Sequence, residues 1–200
     1  MAATIPTHNP KRIAVFASGN GSNAENIIRH FNEALSDEAR VELVVCDRPG
    51  AGVISRAEKA GVPVALLTRD QLNDPQLMPG MLASHGIDFI VLAGFLLMVP
   101  GFILEAYPGR IVNIHPSLLP KYGGKGMYGA RIHRAVVEAG ETRTGITIHH
   151  VSERCDEGRV IFQATMDIAP GDTPEDVERG IHRLEQLHFP RVIRQLISQI

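Results

Sequence analysis

The sequence contains no tryptophan, and its three tyrosines and seven phenylalanines keep aromatics at 5%. Basic excess is missing too: 20 Lys and Arg face 22 Asp and Glu, for a net charge of −2. A sequence-independent nucleic-acid surface needs such an excess, so none is expected. Only two cysteines occur, Cys46 and Cys155, far apart and outside any CxxC spacing. That argues against a disulfide framework and a structural zinc site, and makes a reducing cytoplasm the expected setting. No apolar run approaches the roughly 18 residues that span a membrane, so no membrane association is expected. The segment Met1–Lys11 is polar and holds prolines. It lacks the apolar stretch of a secretory signal and reads as a flexible tail before a single domain over residues 12–200. Repeats, low-complexity tracts and linkers are absent as well.

What is present is alternation. "RIAVFA", Arg12–Ala17, is a short apolar run closed by the glycines of "SGNGSN". Such a run reads as a buried parallel strand. Helical spacing follows over Asn23–Phe31, then a strand over Val41–Cys46, a helix over Ala51–Ala60 stopped by Gly61, and a short strand over Val64–Leu67. Leu77–His85 reads as a helix, Asp88–Ala93 as a strand, Pro100–Ala106 as a short helix and Arg110–Ile114 as a strand. Strands alternating with helices imply a mostly parallel, Rossmann-like sheet covered on both faces. The pattern then changes. A helix over Tyr128–Ala139 precedes two β-like runs, Thr144–His150 and Val160–Ile168, joined by polar "SERCDEG". They suggest an antiparallel pair. A long C-terminal helix lies within Thr173–Gln199, with Thr173 as N-cap, Pro174 at its first position and acidic residues in its first turn.

Three stretches can carry chemistry. "SGNGSN", Ser18–Asn23, joins a strand to a helix. Its glycines permit a tight turn, and its amides sit at a helix start, where an anion such as phosphate is favoured. It matches neither the P-loop nor the dinucleotide fingerprint, and a plain tight turn is the alternative. In "VNIHPSLLP", Val112–Pro120, Asn113 and His115 are two residues apart on a strand and project together. They do so at the carboxyl end of a parallel strand, where open α/β sheets bind ligands. An amide can donate to an oxygen gaining charge, and an imidazole can exchange protons near neutrality. The bland alternative is a hydrogen-bonded histidine in a turn stiffened by Pro116 and Pro120. In "CDEGRVI", Asp156 sits in a loop beside Gly158; alone it reads as a turn aspartate. Cys155 reads as a packed thiol, not a nucleophile. His149 and His150 are adjacent and face opposite sides of a strand, one of them buried. No third ligand lies at metal-binding spacing, so no metal is expected.

Taken together, "RIAVFASGNGSNAENII", "VLAGF", "RIVNIHPSLLPKYGG", "GITIHHV" and "DEGRVI" resemble, in order and spacing, the phosphoribosylglycinamide formyltransferases of the folate-dependent formyltransferase family. The resemblance covers the chain from Arg12 onward. It implies transfer of a formyl group from the co-substrate 10-formyltetrahydrofolate to the amine of 5′-phosphoribosylglycinamide. The family's catalytic asparagine, histidine and aspartate fall on Asn113, His115 and Asp156. Its substrate-phosphate loop falls on Gly21, Ser22 and Asn23, and a glutamate near the glycinamide on Glu185. Folate binding falls on Leu96, Leu97, Met98 and Val99, with Asn113. The resemblance also implies that Asn113 and a protonated His115 stabilise a tetrahedral oxyanion, and that Asp156 keeps His115 cationic. It makes Leu119–Pro120 a candidate cis bond, and small molecules the only expected partners of a monomer or homodimer.

Three features depart from the family pattern. "GGKGMYGAR", Gly123–Arg131, is longer than in many members and offers Lys125 and Arg131 as cations for the substrate. An arginine near the folate tail has no clear counterpart around Gln71–Leu77. The chain ends directly after the long helix. The rival readings are a methionyl-tRNA formyltransferase, a formyltetrahydrofolate hydrolase, and a non-catalytic sugar-phosphate-binding module. The first two carry further domains and lack the "SGNGSN" loop in this form; the third needs the loop but not the three polar groups together.

Overall fold

The computed structural model describes residues 9–200, so most of the expected N-terminal tail lies outside the described residues. Lys11, placed in that tail from sequence, already belongs to the first strand. Seven strands follow: β1 (Lys11–Phe16), β2 (Ala39–Cys46), β3 (Val64–Leu66), β4 (Phe89–Leu92), β5 (Ile111–His115), β6 (Arg143–His150) and β7 (Val160–Asp167). They form one sheet in the order β3-β2-β1-β4-β5-β6-β7. β1 to β5 run parallel, and β6 and β7 are antiparallel.

The helices are α1 (Ser22–Arg29), α2 (Gly52–Lys59), α3 (Arg69–Leu72), α4 (Leu77–Ser84), α5 (Gly101–Ala106), α6 (Ala130–Glu138) and α7 (Pro174–Ile197). The two-residue alternation of β1 shows why both faces are covered. Ile13 and Val15 pack with α1, α2 and α7, whereas Ala14 and Phe16 pack with α3, α4 and α5. The stretch Ile13–Phe16 is therefore apolar and buried on both faces, as "RIAVFA" suggested.

Differences from the sequence reading are local. α1 stops at Arg29, and His30–Ala34 widens into a π turn. β2 begins at Ala39, two residues early, and its register with β1 shifts between Ile13 and Ala14. The short helix α3 was not anticipated. A capping box makes it: Thr68 and Gln71 satisfy each other's backbone N–H groups. α6 starts at Ala130, not Tyr128, because Gly129 breaks the run at φ 53°. α7 has the expected Thr173 cap and continues through Pro190. No helix among the described residues is long and apolar enough to cross a membrane.

Candidate functional site

The carboxyl ends of β1, β4 and β5 open onto a cleft of about 670 Å³. Asn113, His115 and Asp156 line it together. The chain turns sharply after β5, through a cis Leu119–Pro120 bond. Thr147 on β6 braces that turn, donating to Ser117 O at 2.7 Å and accepting from Leu119 N at 3.0 Å. Asp156 is brought back by the β6–β7 loop in a left-handed conformation, φ 58°, which aspartate tolerates better than most residues.

The polar groups are linked. His115 Nε2 donates to Tyr122 O at 2.8 Å, and its Nδ1 lies 3.5 Å from Asp156 Oδ2. Both ring nitrogens thus face oxygens. A doubly protonated ring can satisfy both; a neutral ring has one N–H. Asp156 Oδ2 also accepts from Gly124 N at 2.9 Å. A fourth member, unassigned from sequence, is His149. The antiparallel register sets it opposite Asn113. Asn113 Nδ2 donates to His149 Nε2 at 3.1 Å, while His149 Nδ1 donates to His150 O at 2.9 Å. His149 Nε2 is also 3.7 Å from Asp156 Oδ1. Burial lowers the His149 pKa, so the neutral ring accepts from Asn113 and leaves the second amide N–H free. His150 points away and meets Arg159 Nη2 at 3.1 Å. The expected opposite facing of the two histidines holds.

Gly21, Ser22 and Asn23 line the other end of the cleft. Gly21 caps α1, whose first amides have no acceptor within the helix. Two residues missed from sequence hold this loop. Arg56 donates to Asn20 O at 3.0 Å and Asn20 Oδ1 at 2.9 Å. Ser18 Oγ accepts from Leu96 N at 2.9 Å, tying this loop to the segment after β4. Glu185, buried on α7, accepts from Asn23 Nδ2 at 2.9 Å. Burial raises its pKa, partly offset by Asn23. Glu178, His182 and the buried His133 line the wall nearby. Helical spacing on α7 was the available signal, since Glu178, His182 and Glu185 are four and three residues apart.

Leu96, Leu97, Met98 and Val99 line a smaller recess with Asn113, His149 and Asp156. The four are not equivalent. The Leu96 amide is already taken by Ser18, and the Val99 side chain packs into the core. Lys125 lines the main cleft, but Arg131 does not; it stacks over Tyr128 at 4.9 Å. Of the two cations offered from sequence, Lys125 lines the cleft directly, and Arg131 stands behind Tyr128, which lines it. Arg48 and Arg69 also line the cleft, Arg69 lying just before Gln71–Leu77. Cys155 is exposed instead of packed, and burial of its sulfur beside Asp156 pushes its pKa up to about 11. It is a thiol at neutral pH. Among the described residues, no group of three His, Cys, Asp or Glu could hold a metal ion.

An α/β sheet ending in an amide, an imidazole and a carboxylate, opposite an anion-receptive helix start, has the parts of an acyl-type group-transfer enzyme. The model of the formyl transferase family matches residues 11–193. Phosphoribosylglycinamide formyltransferase of Bacillus subtilis (strain 168) is 41% identical over 94% of this chain and 95% of its own length. The chloroplastic phosphoribosylglycinamide formyltransferase of Arabidopsis thaliana is 38% identical over 96% of this chain and 68% of its own. The crystal structure of glycinamide ribonucleotide transformylase 1 from Symbiobacterium toebii superposes with a TM-score of 0.85 at 34% identity, covering 96% of this chain and 89% of that one. The chain belongs to the formyl transferase family, on its phosphoribosylglycinamide formyltransferase branch.

Proposed function

We propose that this enzyme transfers the formyl group of 10-formyltetrahydrofolate to the primary amine of 5′-phosphoribosylglycinamide, a step of de novo purine synthesis. The observation that carries the reading is the convergence of Asn113, His115 and Asp156 in one cleft between the α1 start and the Leu96–Val99 segment. The substrate phosphate docks on the amides of Gly21, Ser22 and Asn23. Glu185 meets the polar part of the glycinamide, and the pterin occupies the recess beside Leu97 and Met98. Its two small-molecule substrates are the partners of this site.

The amine nitrogen attacks the formyl carbon, forming a C–N bond and a tetrahedral intermediate with charge on oxygen. The free N–H of Asn113 and a ring N–H of His115 donate to that oxygen. Asp156 holds His115 and relays the amine proton through water toward the leaving folate nitrogen. The carbon–folate-nitrogen bond then breaks, releasing tetrahydrofolate and the formylated amide. Asn113→Ala removes one oxyanion donor and lowers kcat roughly 10²- to 10³-fold.

The test follows folate absorbance with and without the glycinamide ribonucleotide. Turnover only in its presence is expected. Formyl release without it indicates a hydrolase, and equilibrium binding without turnover indicates a binding module; either result overturns the reading.

A further inference from the structure

We propose that Tyr122 is a positioning residue for His115, and that Glu141 holds it in place. The kinetic part of this inference rests on the formyl-transfer reading above.

Tyr122 stands at φ 56°, in the left-handed region disfavoured for an L residue with a side chain. The next two residues, Gly123 and Gly124, are glycines with geometric reasons. A Cβ on Gly123 would lie 2.6 Å from Leu119 Cδ2, and Gly124 has φ 92°. Glycine at 122 would adopt the same turn without strain. The side chain supplies something glycine cannot. Its hydroxyl donates to Glu141 Oε1 at 3.0 Å, and the same oxygen accepts from Lys121 Nζ at 2.8 Å. Glu141 lies in the connection between α6 and β6, so the turn is fastened to a separate part of the fold. Strained backbone persists where its surroundings over-determine it, and here the fastening is visible.

What the fastened conformation does is aim a carbonyl. Tyr122 O is the acceptor for His115 Nε2, at 2.8 Å. That bond keeps a proton on Nε2 and turns Nδ1 toward Asp156 and the cleft. It thereby fixes which ring nitrogen meets the reacting atoms, the same office a carboxylate performs for the imidazole of a hydrolytic triad. Two residues later the same turn gives its Gly124 N–H to Asp156 Oδ2. One four-residue segment, Lys121–Gly124, thus contacts both His115 and Asp156.

Tyr122→Phe, Glu141→Ala and Glu141→Gln, made in the full chain, test this. Three quantities are read: Tm, kcat with both Michaelis constants, and the Nε2–H proton resonance of His115, assigned by its loss in His115→Gln. Tyr122→Phe and Glu141→Ala are expected to lower kcat roughly tenfold, as small misplacements of a reacting group do. Both Michaelis constants stay within about twofold, and the Nε2–H resonance broadens through exchange with water. Glu141→Gln keeps an acceptor oxygen and restores kcat to within about threefold, because the exposed Lys121 pair contributes little. The double variant Tyr122→Phe/Glu141→Ala loses no more than the worse single one. A lowered Tm with parental kcat, or an unchanged resonance in Tyr122→Phe, overturns the proposal and leaves Tyr122 a turn brace. Absence of formyl transfer in the parent protein sinks the function reading instead, while the resonance still decides the role of Tyr122.

Discussion

Gly21 has no room for a side chain. A Cβ there would stand 2.5 Å from Val53 Cα, and φ is 84°. Gly21→Ala must therefore displace α1 from α2 or abandon the left-handed cap, at a cost of about 1–2 kcal/mol for the conformation alone. The displaced atoms are the amides proposed to hold the substrate phosphate. The expected result is a Michaelis constant for glycinamide ribonucleotide raised roughly tenfold or more, with folate affinity within about twofold by titration calorimetry. Equal loss of both affinities means general unfolding. Glu185 shows the opposite economy, a residue whose presence costs stability. Burial raises its pKa above 4.5. An acid raised on folding destabilises the fold once pH exceeds its unfolded value, and fully so above its folded value. Glu185→Gln keeps an oxygen for Asn23 Nδ2 and removes the charge. At pH 7 it should melt about 2–4 °C higher, with weaker glycinamide ribonucleotide binding. The stability gain should vanish below about pH 4, where the parent is neutral as well. A gain that persists there points to packing instead of ionisation.

At the scale of elements, α7 carries a buried proline in its middle. Pro190 has no N–H, so the Gln186 carbonyl four residues back loses its helical donor. Asn26 Nδ2, from α1, donates to that carbonyl at 2.9 Å. The helix break is thus converted into a contact between α1 and α7, the two helices that carry Asn23 and Glu185. Asn26→Ala should destabilise by about 1 kcal/mol, the usual net worth of such a bond. In a Pro190→Ala background the new N–H can reach Gln186, and the same substitution should cost close to nothing. Equal costs in both backgrounds, read by urea unfolding, refute the link. The example also shows what sequence patterns can carry. The length and cap of α7 were legible from Thr173–Pro174, and the parallel strands from their unbroken apolar runs. The same-side projection of Asn113 and His115 follows from their two-residue spacing. Contacts set by register were not legible. Nothing local tells that β6 slides to place His149 opposite Asn113, or that a loop serine, Ser18, reaches the Leu96 amide. The resemblance to a family supplied Asp156, which as a residue in a loop looked ordinary.

For the whole molecule, the most telling chemistry is the number of histidines whose pKa folding lowers, two of which, His133 and His149, also line the site. Burial is the leading cause that lowers the pKa of His30, His133, His149, His150 and His188. Three of these have a buried ring nitrogen without a partner: His30 Nε2, His133 Nδ1 and His150 Nδ1. At His30 and His133 a neutral ring can leave a lone pair idle there, but protonation would put an N–H where no acceptor waits. At His150, Nε2 already accepts from Arg159, so protonation would turn a second N–H onto a guanidinium. Positive neighbours add to the effect, Arg194 at His30 and Arg159 at His150. The sign follows from proton counts. Near pH 6.5 the unfolded chain binds protons that the folded chain refuses, so stability rises with pH through this window. It is fully present above the unfolded value and is lost as pH falls through and below about 6.5. Glu185 acts in the opposite sense, but as one group against five. At the alkaline end Cys46, Cys155, Tyr107 and Tyr122 have raised pKa values. Their contribution is present below the unfolded values and is lost as pH climbs past them. The fold should therefore be most stable between about pH 7 and pH 8.5, and should weaken on acidification well before its exposed carboxylates titrate. His133 isolates the cause, being almost wholly buried and lined by Glu178 and His182. His133→Asn lowers stability at neutral pH by removing packing, yet it should flatten the slope of unfolding free energy against pH between about pH 5 and 6.5. The flattening can reach at most about 1.4 kcal/mol per pH unit, the limit for one proton. Urea unfolding of parent and variant across that range measures it directly. Parallel curves with no change of slope would mean that His133 titrates alike in both states, and that its burial plays no part in acid sensitivity.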